Sequence, residues 1–120
     1  YVNIAFRPPE NPKLSRIEKI IKSEEPFFNN TFFDENFELH ANEIYTNPQW
    51  PSKPLFYVCC PSKTDSSVAS QNMENLFILM PVAPNLKDSK KIRSMYFDLI
   101  MKRLEKLTKQ NINSHIIYKR

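Results

Sequence analysis

Leu55-Phe-Tyr-Val-Cys-Cys-Pro-Ser-Lys-Thr-Asp65 opens the stretch that decides the fold, and Glu74-Asn-Leu-Phe-Ile-Leu-Met-Pro-Val-Ala-Pro84 closes it. Residues 55–60 and 76–80 are apolar runs of strand length, and a polar loop joins them. Short runs of this kind, apolar on both faces, predict strands covered on both sides of a sheet. The first run ends in Pro61-Ser-Lys-Thr-Asp65, a turn rich in hydroxyls. The second ends in Pro81-Val-Ala-Pro84, which cannot continue a ladder.

Downstream, Ile92, Met95, Tyr96, Leu99, Ile100, Leu104 and Leu107 fall on one stripe at helical spacing. They predict a helix from Asp88 or Ser89 to about Lys109, capped by Asp88 and ending in Lys102, Arg103, Lys106 and Lys109 at the negative pole. Asp98 with Lys102 and Glu105 with Lys109 are spaced as four-apart pairs. Residues 115–118 read as a last strand. Upstream, residues 1–6 alternate weakly, and Arg7-Pro-Pro-Glu-Asn-Pro12 breaks regular structure. Leu14, Ile17, Ile20 and Ile21 keep helical spacing, and residues 27–33 are rich in strand formers. Asp34 or Asn36 caps a short helix running through Phe37, Ile44 and Tyr45, and the prolines of residues 47–54 exclude regular structure there.

The chain has 120 residues, 41% apolar and 25% charged, enough for one domain. Tyr1 in place of Met points to a chain cut from something longer. Its net charge of +4 is concentrated in residues 87–109 and at Lys119 and Arg120. A solvated helix face accounts for this, and attraction to anionic lipid headgroups is the alternative. No basic stripe interleaved with aromatics points to nucleic acid. Cys59 and Cys60 are adjacent, so on a strand they face opposite ways and stay reduced, as in an intracellular setting. His40 and His115 are isolated, so no metal site is expected. The chain contains no glycine at all. That excludes a glycine-rich phosphate loop and leaves asparagine to take backbone positions with positive φ.

Thr64, Ser62 and Asp65 read as turn-capping groups, and a carboxylate at a strand end is also a possible general acid or base. Phe27, Phe28, Phe32, Phe33, Phe37, Tyr45 and Trp50 make an aromatic-rich segment suited to a core or to the wall of an apolar channel. Asn29-Asn30-Thr31 matches a glycosylation acceptor, a short and common pattern.

Residues 55–58, 60–65, 67, 69, 74–79, 81–84 and 86 match a segment that resembles the C-terminal half of the carotenoid (phytoene) desaturases. The likeness continues through the helix from Ile92 to Thr108 and the ending His115-Ile-Ile-Tyr-Lys-Arg120, and it reaches upstream to Asn30-Thr-Phe-Phe33. Where the family writes glycine, this chain has Asn72 and Asn85; where it writes a histidine pair, this chain has Phe28-Asn29. The resemblance implies an α+β fold with a mixed sheet covered by helices, the substrate-domain portion of a two-domain flavoenzyme. It implies residues 28–120 as that portion, with residues 1–27 set apart. It implies an intact enzyme that uses FAD to desaturate a long phytoene-like polyene at a membrane surface, on the cytoplasmic side. The flavin-binding domain is missing here, and these residues alone are not expected to turn over substrate. Tyr57, Thr64, Asp65 and Phe77 are the candidate substrate-binding residues; no catalytic, cofactor-binding or metal-binding residue is assigned. The alternatives are a non-catalytic lipid-binding or interaction module of the same fold, and a related flavoenzyme saturating or isomerising another isoprenoid.

Overall fold

A computed structural model describes residues 2–6, 30–32, 36–109 and 111–120. The expected helix around Leu14 to Ile21, the proline break at residues 7–12 and the rings of Phe27, Phe28, Phe32 and Phe33 lie outside the description. Five strands make one sheet: β1 (Val2–Phe6), β2 (Asn30–Phe32), β3 (Phe56–Cys59), β4 (Glu74–Leu79) and β5 (Ile116–Lys119), in the order β2-β3-β4-β1-β5. The two apolar runs are direct neighbours, with Val58 opposite Ile78 and Tyr57 opposite Leu79. The fold is α+β as expected. Every ladder among the described residues is antiparallel, however, so the sheet they form is not mixed in strand direction. The loop between β3 and β4 holds two short 3₁₀ turns, and a connection of that size returns the chain antiparallel without a crossover helix.

Val2–Phe6 is an inner strand, with Ile4 opposite Leu76 on one side and Lys119 on the other. The β1–β5 register shifts between Ala5 and Phe6. Two helices are described, α1 (Phe37–Ala41) and α2 (Lys90–Thr108). Asn36 caps α1 by accepting the Leu39 N–H at 3.0 Å, and the chain then winds into a π-helical turn, Asn42–Thr46.

Helix α2 covers one sheet face. Ile4, Phe56, Val58, Leu76 and Ile78 form one buried cluster with Ile100, Met101 and Leu104 there, joined by Cys60 and Ile112. Each such side chain contributes roughly 1.5–3 kcal/mol on burial, more than the 0–1 kcal/mol of an exposed ion pair. Helix–sheet packing therefore decides the architecture. Strand β3 alternates buried and half-buried residues. The opposite face of the sheet carries Tyr57, Cys59, Phe77 and Leu79, and it is only partly covered, contrary to the two-sided cover the apolar runs predicted. An antiparallel sheet has no crossover helices to bury its second face.

The buried line of α2 is Tyr96, Ile100, Met101, Leu104 and Thr108, whereas Met95 of the expected stripe is 53% exposed. Thr108 is tolerated inside because its hydroxyl donates to the Leu104 carbonyl at 2.8 Å. Ser89, not Asp88, is the N-cap, accepting the Ile92 N–H at 3.2 Å; Asp88 instead clasps the Arg93 guanidinium. At the far end Lys109 turns left-handed at φ 55°, and Glu105 accepts the Asn113 N–H at 2.7 Å. Asn72 and Asn85 take φ of 60° and 61°, where glycine was expected to be replaced by asparagine.

The proline-rich segment 47–54 is strapped to α2. The Tyr96 hydroxyl donates to the Pro51 carbonyl at 2.6 Å, Trp50 stacks on Tyr96 at 5.3 Å, and the Trp50 indole N–H donates to the Lys87 carbonyl at 3.1 Å. Arg103 donates to the Pro54 carbonyl and lies over the Phe56 ring at 4.8 Å. Carbonyls that no ladder satisfies here find side-chain donors.

Candidate functional site

A hollow of about 460 Å³ opens where α1 and the π-helical turn meet the β3–β4 pair. Phe37, Ile44, Tyr45, Leu55, Tyr57 and Leu79 supply its apolar wall. Its size and lining suit a small or extended apolar ligand, for which pockets of roughly 300–1,000 Å³ are usual. Large apolar groups stand exposed beside it: Tyr45 is 83% exposed and Phe37 61%. Exposed clusters of this kind mark interaction surfaces.

One polar side chain builds the hollow. His40, 2% exposed, joins three segments. Its Nδ1 accepts the Leu55 N–H at 2.9 Å, so Nε2 carries the proton and donates to the Pro81 carbonyl at 3.0 Å. The imidazole thereby ties α1 to the start of β3 and to the segment after β4. One helical step on, Glu43 is 3% exposed and accepts from Ser52 through its backbone N–H at 3.1 Å and its hydroxyl at 2.6 Å. The buried carboxylate pushes the Tyr96 hydroxyl up, after the larger effect of burial itself. Neither residue was singled out from sequence. The available signal was a histidine and a glutamate three apart, on one face of a helix announced by its Asn36 cap.

The four candidate binding residues divide. Tyr57 lines the hollow, and its ring meets Phe77 edge-to-face at 6.4 Å on the partly covered side of the sheet. Burial, with the neighbouring Cys59 thiol, raises the Tyr57 hydroxyl above its ordinary range. Thr64 and Asp65 do not line the hollow. The Thr64 hydroxyl donates to the Pro61 carbonyl at 2.9 Å, and Asp65 accepts from the Ser67 N–H at 2.9 Å and hydroxyl at 2.6 Å. Those bonds lower the Asp65 carboxyl.

Below that turn lies a polar junction. Glu74 accepts from Lys63 and from the Ser62 hydroxyl, while Ser62 accepts the Asn75 N–H at 3.0 Å. Burial pushes the Glu74 carboxyl up, but the Lys63 and Ser62 bonds outweigh it and hold it below its ordinary value. Burial raises the Cys60 thiol to about 11. Both cysteines are free, with Cys60 buried and Cys59 half-buried on the opposite face.

No cluster of three or more metal-ligating side chains occurs among the described residues, and none of their helices is long and apolar enough to cross a membrane. The residues present do not fit a flavin pyrophosphate. That group needs a parallel strand–turn–helix unit with close backbone approach, whereas every ladder among the described residues is antiparallel and the chain has no glycine.

No family model matches the chain. It is 36% identical over 85 residues to the carotenoid 3,4-desaturase of Haloarcula japonica, across 71% of this chain and 17% of that protein. It is 32% identical over 92 residues to the 4,4'-diaponeurosporene oxygenase of Staphylococcus aureus, across 74% of this chain and 18% of that protein. The chain thus spans less than a fifth of the length of the curated relatives it matches. At 36% and 32% identity over more than two thirds of its length to these proteins of carotenoid chemistry, this chain is a segment of the carotenoid desaturase family.

Proposed function

We propose that residues 28–120, with β1 completing their sheet, form part of the substrate-binding domain of a FAD-dependent oxidoreductase that desaturates a long, phytoene-like polyene. The observation that carries this reading is the hollow of about 460 Å³ with its apolar wall, set beside the Tyr57–Phe77 ring pair. A polyene has no polar groups to satisfy, so a wall of this kind suits it and repels water. Tyr57 and Phe77 contact the chain of the substrate, and Thr64 and Asp65 hold the turn that fixes the β3–β4 register. FAD is held by other parts of such an enzyme, and no step of its chemistry is assigned to these residues. The net charge of +4 and the exposed apolar groups support work at an anionic membrane surface on the cytoplasmic side.

The test is co-elution of phytoene with the chain from detergent micelles, followed by absorbance. Leu79 is 40% exposed, so Leu79→Asp leaves the core intact while placing a charge in the wall. Binding is expected to weaken by tenfold or more, the consequence of about 1.4 kcal/mol or more. Equal retention by the Leu79→Asp chain, or no retention by the unmodified one, overturns the reading.

A further inference from the structure

We propose that a second cavity, between the first turns of α2 and the end of the sheet, is a binding site for a long-chain fatty acid. It is about 410 Å³ and is floored by Val2, Ile78, Met80, Phe97 and Ile100. The reason for the opening lies in α2. Its buried residues begin only at Tyr96, whose ring stacks on Trp50 and whose hydroxyl reaches Pro51, so the exposed first turns border the space over Val2 and Met80 without burying a side chain in it. A space of this size floored by apolar side chains is large enough to take an apolar ligand.

Charge selects the occupant. Lys90, Arg93, Lys119 and Arg120 stand around the mouth, and no acidic side chain lines it among the described residues. Arg93 commits its guanidinium to Asp88, through its Nε at 2.8 Å and its Nη2. The Lys119 ammonium rests over the Phe97 ring at 4.1 Å, held between the apolar floor and solvent. Cations above an apolar cavity complement an amphiphile with an anionic head. The volume sits toward the lower end of the roughly 300–1,000 Å³ range of ligand pockets, which admits a single tail and not the two of a diacyl lipid. With the Arg93 fork taken by Asp88, Lys90, Lys119 and Arg120 provide the charge that suits a monoanionic carboxylate head. The site is independent of the polyene wall on the other face, so the two readings fail separately.

The experiment titrates the chain with palmitate carrying a ¹³C carboxyl, below its aggregation threshold. One saturable site is expected, with a carboxyl shift distinct from free palmitate. The exposed double variant Lys90→Ala/Lys119→Ala is expected to weaken binding roughly tenfold or more, the scale of losing charge-assisted hydrogen bonds. Lys106→Ala, on the same helix but away from the cavity, and Leu79→Asp are expected to leave it unchanged. Hexadecanol, with the same tail and no charge, is expected to bind about tenfold more weakly. The proposal is overturned by unsaturable binding, by equal affinity of hexadecanol, by full affinity of the double variant, or by tighter binding of a single-chain lysophosphatidate.

Discussion

Replacing His40 by leucine removes a side chain that joins α1, the entry to β3 and the exit from β4, while keeping a comparable volume in place. Two bonds are lost, from the Leu55 N–H at 2.9 Å and to the Pro81 carbonyl at 3.0 Å. Both partners are left in a site from which the imidazole, 2% exposed, had already excluded water. An orphaned buried donor or acceptor costs about 1–3 kcal/mol, so the pair costs about 2–6 kcal/mol, and the apolar gain of the leucine offsets part of this. A net loss of roughly 2–4 kcal/mol is expected, a large share of the roughly 5–15 kcal/mol that holds a domain together. Urea unfolding followed by circular dichroism measures it, with an unchanged slope. Amide hydrogen exchange at Leu55 supplies a local readout and is expected to lose protection. His40→Asn places an acceptor near the Nδ1 position, and His40→Gln places a donor near the Nε2 position. Each is expected to recover one bond and fall between the leucine variant and the parent. A leucine variant within about 0.5 kcal/mol of the parent, with Leu55 still protected, would refute the clasp.

Lys109 sits at φ 55°, so Lys109→Gly is expected to stabilise by about 0.5–1 kcal/mol, whereas the same change at exposed Lys102 destabilises by about 1 kcal/mol; equal signs in a denaturation series would contradict the left-handed cap. Glu74 has a depressed folded pKa, so its stabilisation is present above its ordinary value of 4.5 and is lost as pH falls through the folded value. The stability gap between the parent and Glu74→Gln should therefore narrow toward pH 3, and a gap that is constant with pH counts against the Lys63 and Ser62 bonds. With its thiol at about 11 and buried, Cys60 should resist iodoacetamide at pH 8 until urea unfolds the chain, and mass mapping that finds Cys60 alkylated in the native state refutes that placement.

The helix and the paired strands were legible because each writes its own period: apolar runs at residues 55–60 and 76–80, and a 3.6-residue stripe in α2. The left-handed asparagines were legible because glycine's absence leaves few substitutes. Strand direction was not, since apolar runs carry no sign of which way a neighbour points. The inner position of Val2–Phe6 was hidden because its partners lie at the far end of the chain. His40 and Glu43 escaped notice because burial of a polar group depends on bonds to Leu55, Pro81 and Ser52, which are distant in sequence. Ser89 displaced Asp88 as the cap once Arg93 offered the carboxylate a better partner. The outward placement of Leu79 was not legible, because an apolar run does not announce which of its residues faces outward.

The placement of β1 has a consequence for how the molecule is made. Ile4 pairs with Leu76 on one side and Lys119 on the other, so both edges of β1 wait for residues far along the chain. The β3–β4 hairpin closes a far shorter loop, and bringing β1 onto it requires roughly 1 kcal/mol more closure entropy. Assembly is therefore expected to start from the hairpin and α2, with β1 inserted late and β5 last. Until that insertion the nascent strand is a bare template for pairing with other chains, which makes recovery from dilute refolding a sensitive gauge of how quickly the sheet is closed.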